Sequence, residues 1–274
     1  MEQDLIISRA LHDLFSHPGL QERLAFRGGT AIHKLLMPEP LRYSEDIDLI
    51  FLQPGPIKPL LQAIGDALQW LGLDRDVKQS GQTIKLLYLY SPVGAVGEET
   101  RRLKIEINTL EHQACLHLAH YPFTLENPWF SGNANLLSYV AEELIATKFR
   151  ALLQRRKDRD LFDLGQAFDR LDLDDAAILA CFQHYLGSTA PSFTRANVEE
   201  ILLKKLNRSL VGDINPLLPS HVEYEQNHAL QAFKTLWLRL VVGLSGAPWK
   251  NSTAVIEQYH AQNRSNVFAE MLGA

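Results

Sequence analysis

Ser44-Glu45-Asp46-Ile47-Asp48-Leu49-Ile50-Phe51, preceded upstream by Gly28-Gly29-Thr30, decides how this chain is read. Ile47, Leu49 and Phe51 alternate with Asp46, Asp48 and Ile50, the pattern of a strand. Side chains along a strand repeat every two residues, so Asp46 and Asp48 leave the sheet on one face. Two adjacent carboxylates repel each other, and holding both near a core is costly unless a cation neutralises them. Mg²⁺ suits them, because it takes hard oxygen ligands and combines one or two carboxylates with substrate phosphates. A solvated surface strand is the bland alternative. Against it stands the apolar run Ile47, Leu49, Ile50, Phe51 and Leu52, which belongs in the middle of a sheet.

Working outward, Leu24-Ala25-Phe26-Arg27 is a short apolar run ending at the glycine pair. Ile32, Leu35 and Leu36 then fall at helical spacing, so a short helix is expected from about Thr30, with Thr30 as its cap and Pro38 and Pro40 ending it. A glycine pair between strand and helix lets the backbone approach a ligand, and the helix start offers N–H groups to an anion such as a nucleoside triphosphate. Taken alone, Gly-Gly-Thr is more often a plain tight turn. Its weight comes from the Asp-x-Asp strand that follows 16 residues after Thr30.

A helix is expected from Pro59 to about Leu71, and β-structure from Val77 to Asn108, with a glycine-bearing loop over Ser91 to Gly97. In Arg101 to Thr109, Leu103, Ile105 and Ile107 share one face and Lys104, Glu106 and Asn108 the other. That polar face is either the wet side of an edge strand or a neighbour of the Asp46/Asp48 strand. In the second case Glu106 supplies a third carboxylate, and three acids around two metals clamp both oxygens of an in-line phosphoryl displacement.

A change of character is expected near Glu126 to Gly132, with helical patterns dominating afterwards. Those patterns are Ser138 to Gln154, Arg159 to Leu171, Asp174 to Tyr185, Asn197 to Leu206, His228 to Gly243 and Thr253 to Met271. The order is an α+β half over residues 1–130 and a helical half over residues 131–274 that would contribute to the active-site cleft. Between them lies a cationic concentration: Lys148, Arg150, Arg155, Arg156, Lys157 and Arg159 are six basic residues within 12 positions. A charged helix–helix junction is one reading. The other has Arg159 and Asp160 pairing at a helix start, Lys148 reaching a triphosphate, and the remaining arginines and lysine docking an RNA backbone.

Composition sets the bounds. The chain has 274 residues, 46% of them hydrophobic, enough for one large domain or two moderate ones. A net charge of −5 argues against a generalised nucleic-acid coat protein while leaving room for a local basic groove. Cys115 and Cys181 show no metal-ligand spacing and read as reduced thiols. The basic start and apolar run of a signal peptide are missing from the first residues, and Leu236 to Leu244 is too short to span a bilayer, so a cytoplasmic protein is expected.

In chain order, four blocks carry a family resemblance: Arg27-Gly28-Gly29-Thr30-Ala31-Ile32-His33-Lys34, Arg42-Tyr43-Ser44-Glu45-Asp46-Ile47-Asp48-Leu49, Lys104-Ile105-Glu106-Ile107-Asn108, and Lys148-Phe149-Arg150-Ala151-Leu152 through Arg159-Asp160-Leu161-Phe162-Asp163-Leu164. With them the sequence resembles the AbiEii-type nucleotidyltransferases, toxins of type IV toxin–antitoxin systems. The resemblance implies a DNA-polymerase-β-like core with a helical C-terminal domain. It implies that Gly28, Gly29 and Thr30 face an NTP, with Arg42, Ser44 and Lys148 near it, and that Asp46 and Asp48 hold Mg²⁺. Lys148 and Asp160 would complete the site, and Glu106 is the remaining catalytic candidate. It further implies an RNA acceptor, tRNA foremost, and a cognate antitoxin; the basic patch of Arg150, Arg155, Arg156, Lys157 and Arg159 is the candidate surface for that RNA. Transfer to a small molecule such as an antibiotic is the alternative acceptor chemistry. A non-catalytic NTP- or RNA-binding regulator is the alternative of another class, and the adjacent charges of Asp46 and Asp48 speak against it.

Overall fold

The computed structural model describes residues 2–37, 39–72, 74–92, 100–186, 193–263 and 266–273. Most of the loop expected over Ser91 to Gly97, and Pro38 as a helix stop, lie outside the described residues. The chain divides into two compact units, Met1–Val140 and Ala141–Ala274.

The first unit is built on a seven-stranded mixed sheet. Its strands are β1 (Leu24–Arg27), β2 (Asp46–Phe51), β3 (Arg75–Ser80), β4 (Thr83–Tyr90), β5 (Arg101–Asn108), β6 (Leu118–Asn127) and β7 (Phe130–Tyr139), in the spatial order β3-β4-β5-β2-β1-β7-β6. The Asp-x-Asp strand β2 is therefore central, antiparallel to β1 and parallel to β5. Its apolar residues explain the place, since Ile47, Leu49, Ile50 and Phe51 are all essentially buried. Across the ladder Ile105 and Ile107 lie opposite Ile47 and Leu49, continuing one apolar face. Helix α1 (Glu2–Ser16) adds Ile7, Leu11 and Leu14, all fully buried. At the other extreme β3, Arg-Asp-Val-Lys-Gln-Ser, is an exposed edge strand whose charges discourage further pairing.

The structure corrects two expectations. The short helix begins at Gly28, not Thr30: α2 (Gly28–Ala31) runs into a π-helical turn at Ile32–Leu36, and its N-cap position is Arg27, which has no side-chain cap. The helical character also starts later than residue 131. Residues 118–139 form the β6–β7 hairpin, paired from Leu118↔Tyr139 to Asn127↔Phe130. Its strands alternate weakly, because much of the hairpin is exposed and few apolar residues are needed there. The helix expected at Pro59 is α3 (Ile57–Ala67), followed by a 3₁₀ turn at Gln69–Leu71.

The second unit is helical, with α4 (Ala141–Gln154), α5 (Asp158–Arg170), α6 (Asp175–Leu186), α7 (Arg195–Lys205), α8 (Gln226–Leu236), α9 (Ser252–Asn263) and α10 (Asn266–Leu272). The pattern expected from His228 to Gly243 is α8 plus a π-helical turn at Trp237–Val241, and the one from Thr253 to Met271 is two helices. Phe149 of α4 and Phe182 of α6 are fully buried with ring centroids 4.6 Å apart. The N-cap residue of α5 is Lys157, which cannot accept a hydrogen bond, so a distant carboxylate does the capping. Asp213 Oδ1 accepts from the backbone N–H groups of Asp158 and Arg159 at 2.6 and 3.1 Å.

Among the described residues no helix is long and apolar enough to cross a membrane.

Candidate active site

The central strand pairs place four charged residues in one row. Asp48 is opposite Arg27 of β1 on one side and Glu106 of β5 on the other, and Glu106 is opposite Lys85 of β4. Residues directly opposite share a face. Asp46 and Lys104, also opposite each other, lie one pleat repeat along on the same face. The order across the sheet is thus cation, carboxylate, carboxylate, cation. Lys104 Nζ lies 2.8 Å from Asp46 Oδ2 and 3.4 Å from Glu106, and Lys85 Nζ is 3.0 Å from Glu106. The row is only partly covered: Asp46 is 18% exposed, Glu106 26% and Lys104 37%.

These neighbours set the protonation states. Burial works to lower the Lys104 pKa, but the hydrogen bond and charge of Asp46, with Glu106 and Asp48 behind it, raise it on balance. Burial likewise works to raise Glu106, and the hydrogen bond from Lys85 with the charges of Lys104 and Lys85 outweighs it, so Glu106 is held below the ordinary carboxylate range.

Gly28 is fitted to Asp48. Its φ is +82°, a conformation L side chains rarely adopt, and a Cβ there would stand 2.3 Å from Asp48 Oδ2. The room that glycine leaves beside β2 is therefore taken by a carboxylate. Thr30 is buried, and its hydroxyl donates to the backbone oxygen of Asp46 at 2.8 Å, pinning α2 to the start of β2. Thr30 acts here as a brace, where the sequence suggested a side chain turned to phosphate.

Arg42 and Ser44 are also buried. Arg42 donates to the Tyr43 carbonyl at 3.1 Å, and the Ser44 backbone N–H donates to Asp4 of α1, which also takes the Lys34 ammonium at 3.0 Å.

A hard divalent cation fits the Asp46/Asp48 pair. The donors are two carboxylates leaving one strand on the same side, partly open, with Asp46 already drawn to an ammonium. The three-acid arrangement is not assembled: Glu106 is engaged by two lysines, and among the described residues no three His, Cys, Asp or Glu side chains are grouped to hold a metal. The remaining ligands of such a cation would be substrate phosphates and water.

One further residue was not singled out from sequence. Glu111 accepts from Arg27 at 2.8 Å and from Asn108 at 3.2 Å. Asn108 Oδ1 takes the backbone N–H groups of Leu110 and Glu111 at 2.8 and 2.9 Å, an Asx turn that returns Glu111 to the end of the row. Asn108 three residues before an acid was the available signal.

The second unit carries a charged cluster of its own. Lys148 of α4, 4% exposed, lies 3.0 Å from Asp160 and 2.9 Å from Asp163 of α5, both fully buried. Arg155 adds two bonds to Asp160, each 2.7 Å. Burial works to raise the Asp160 pKa, but Lys148 and Arg155 override it and hold the carboxyl low. Asp160 thus pairs with Lys148 and Arg155, in place of the expected Arg159. Lys148 is spent on two aspartates and does not project outward. The basic patch is uneven for the same reason. Arg150 donates to the Tyr185 carbonyl at 3.2 Å and lies over its ring, Lys157 sits 3.7 Å from Asp213, and Arg159 is half-buried. Arg155, Arg156 and Lys157 are exposed.

With this geometry in place, comparison with known proteins gives a consistent answer. The family model for the nucleotidyl transferase AbiEii toxin of type IV toxin–antitoxin systems matches residues 9–236. No curated protein matches. Among solved structures, the chain is similar to MenT4, a nucleotidyltransferase toxin from Mycobacterium tuberculosis, at 17% identity, over 98% of this chain and 92% of that one, with a TM-score of 0.60. A nucleotidyltransferase-like structure from H. pylori matches at 18% identity over 87% of this chain and 95% of that one, TM-score 0.52. JHP933 from Helicobacter pylori matches at 17% identity over 95% of both chains, TM-score 0.51. At such identities these three support the fold.

Proposed function

The chain belongs to the AbiEii nucleotidyl transferase toxin family of type IV toxin–antitoxin systems, and from that premise we propose that it transfers a nucleotide from NTP to an RNA, tRNA foremost, with Mg²⁺ held by Asp46 and Asp48. The family implies an NTP substrate, a divalent metal and an antitoxin partner. The observation that carries the rest is the Asp48 carboxylate seated against the Cβ-less Gly28 at positive φ, because it ties the glycine turn and the acidic strand into one site.

In this reading the Gly28–Gly29 backbone, braced through Thr30, sets the entry to the triphosphate site. When bound, Mg²⁺ would neutralise phosphate charge and polarise the phosphoryl under attack. Lys104, Lys85 and Arg27 supply fixed positive charge along the same sheet face, where negative charge develops in the transition state. Glu106, kept ionised by its lysines, would take the proton of the acceptor hydroxyl. Arg42 and Ser44 support the loop before β2. Lys148 and Asp160 fix the α4–α5 pair, and through it the direction in which Arg156 and Lys157 leave the helix junction. Arg156, Lys157 and the outer part of Arg155 meet the RNA backbone, with Arg150 and Arg159 as supporting charges.

A small-molecule acceptor such as an antibiotic is the second reading, favoured by the engagement of Arg150 and Arg155 within their own unit. Incubation with each labelled NTP, Mg²⁺ and total RNA separates the two. Label should enter RNA, and Arg156→Gln with Lys157→Gln should flatten the salt dependence of RNA binding by about 0.7 per lost phosphate contact on a single strand. Labelling that requires a small acceptor, with an unchanged slope, selects the second reading.

A further inference from the structure

Asp46 opens β2, and the backbone that delivers it there is held by side chains from elsewhere in the first unit. Residues 43–45 belong to no helix or strand, so their N–H and C=O groups need partners other than a sheet ladder. Three consecutive residues, Ser44, Glu45 and Asp46, find theirs on α1 and α2. The Ser44 N–H donates to Asp4 Oδ1 at 3.0 Å, Gln3 Nε2 donates to the Glu45 carbonyl at 2.8 Å, and the Thr30 hydroxyl donates to the Asp46 carbonyl at 2.8 Å. Gln3 Nε2 also lies 3.4 Å from the Arg102 carbonyl of β5. It thereby ties β2 to β5 just before the point where Asp46 faces Lys104.

Asp4 is itself fixed. Its other carboxylate oxygen takes Lys34 Nζ at 3.0 Å, Lys34 also donates to Ser8 Oγ at 2.8 Å, and Ser8 Oγ donates to the Asp4 carbonyl at 2.8 Å. The Lys34 side chain is only 4% exposed, so Asp4 supplies the counter-charge that a buried ammonium requires. One carboxylate thus serves an ion pair and a backbone N–H together. The ends of strands open more readily than their middles, which makes the first residue of β2 the place where such bonds count. A carboxylate already in place binds a cation more tightly than one that must be ordered as the cation arrives. Groups that orient metal ligands in this way are typically worth about 10–100-fold in metal affinity.

We propose that Gln3 and Asp4 of α1 are positioning residues for the Asp46 carboxylate, a clamp that sets the backbone from which it leaves β2. The inference rests on the reading of Asp46 and Asp48 as the pair that holds a divalent cation. Neither Gln3 nor Asp4 touches the cation; both act through the main chain of Ser44 and Glu45, and Lys34 keeps Asp4 ionised and in place.

The test measures Mn²⁺ affinity by electron paramagnetic resonance, and stability by urea denaturation, on the full chain and four variants. Asp48→Asn is the reference and should lose most Mn²⁺ binding. Asp4→Leu should lose both stability and Mn²⁺ affinity, because it strands the Lys34 ammonium as well as freeing Ser44. Asp4→Leu combined with Lys34→Met removes the ion pair as a unit and should recover stability, since replacing both partners by apolar groups can be nearly neutral. Its Mn²⁺ affinity should nevertheless stay about tenfold or more below that of the parent. Gln3→Leu, uncharged and half-buried, should weaken Mn²⁺ binding in the same direction with a urea midpoint close to the parent's, and it decides the matter should the double variant fold poorly. Parent-level Mn²⁺ affinity in the folded double variant or in folded Gln3→Leu would overturn the clamp while leaving the Asp48→Asn result standing. Mn²⁺ binding that Asp48→Asn leaves unchanged would instead overturn the metal reading, and the clamp with it.

Discussion

The two units each set a lysine between acidic side chains, and they do so in opposite ways. In the first, Lys104 bridges Asp46 and Glu106 on a sheet face where every member is partly open to solvent. In the second, Lys148 bridges Asp160 and Asp163 between two helices where the carboxylates are sealed and the lysine nearly so. Charge type and number are alike, and only burial differs. An open row can exchange its ammonium for a metal or a phosphate at modest cost, because water still screens each charge. A sealed cluster cannot, since parting its members strands a charge in the interior. The first arrangement suits chemistry. The second suits holding two helices in register.

This contrast can be broken most forcefully at Lys148. Lys148→Met removes the ammonium that two buried aspartates share and should cost about 3–5 kcal/mol of stability. Urea denaturation would read it, and a loss below about 1 kcal/mol would mean the cluster is not structural. Gly28→Ala should come next, at about 1–3 kcal/mol, because alanine disfavours positive φ and its Cβ meets Asp48. Its transfer activity should fall further than its stability, as Asp48 is pushed out of place.

The pH dependence sharpens the same contrast. Although burial opposes it, Lys148 and Arg155 keep the folded-state pKa of Asp160 below the unfolded value. Its contribution is therefore present above roughly pH 4, the unfolded carboxylate range, and is lost as pH falls through the folded value. Asp160→Asn should lower stability at neutral pH and flatten the acid limb of a stability–pH profile; a limb as steep as wild type would mean that Asp160 does not set it. Lys104→Met should have the smallest effect on folding, below about 1 kcal/mol, because its ion pairs are more than one-third exposed on the lysine side. A loss as large as that of Lys148→Met would erase the distinction between the two lysines.

How much could be read from sequence follows the same division. Strand β2 was legible because alternation along it, and apolar residues after it, leave few other places for Asp46 and Asp48. The pairing of β5 beside it, which brings Glu106 opposite Asp48, was legible only as one of two options, since register is a tertiary fact. The β6–β7 hairpin was read through because an exposed hairpin needs no strong hydrophobic period. Lys148 looked outward-reaching because a helical period cannot say whether a lysine meets two aspartates from the next helix. Thr30 misled similarly: a helix-start threonine suits a cap, whereas its partner is a carbonyl on a strand 16 residues away. The sequence motifs named Asp46, Asp48 and Glu106, and tertiary packing assigned partners such as Lys104 and Lys85.

Asp48→Asn is the most direct test of the open row as the catalytic site, provided transfer and folding are measured on the same preparation. Transfer of labelled NTP should fall about a thousandfold or more, a barrier increase of about 4 kcal/mol, while the metal-free thermal midpoint stays level or rises as repulsion with Asp46 and Glu106 is relieved. Undiminished transfer in a folded Asp48→Asn protein would contradict that assignment.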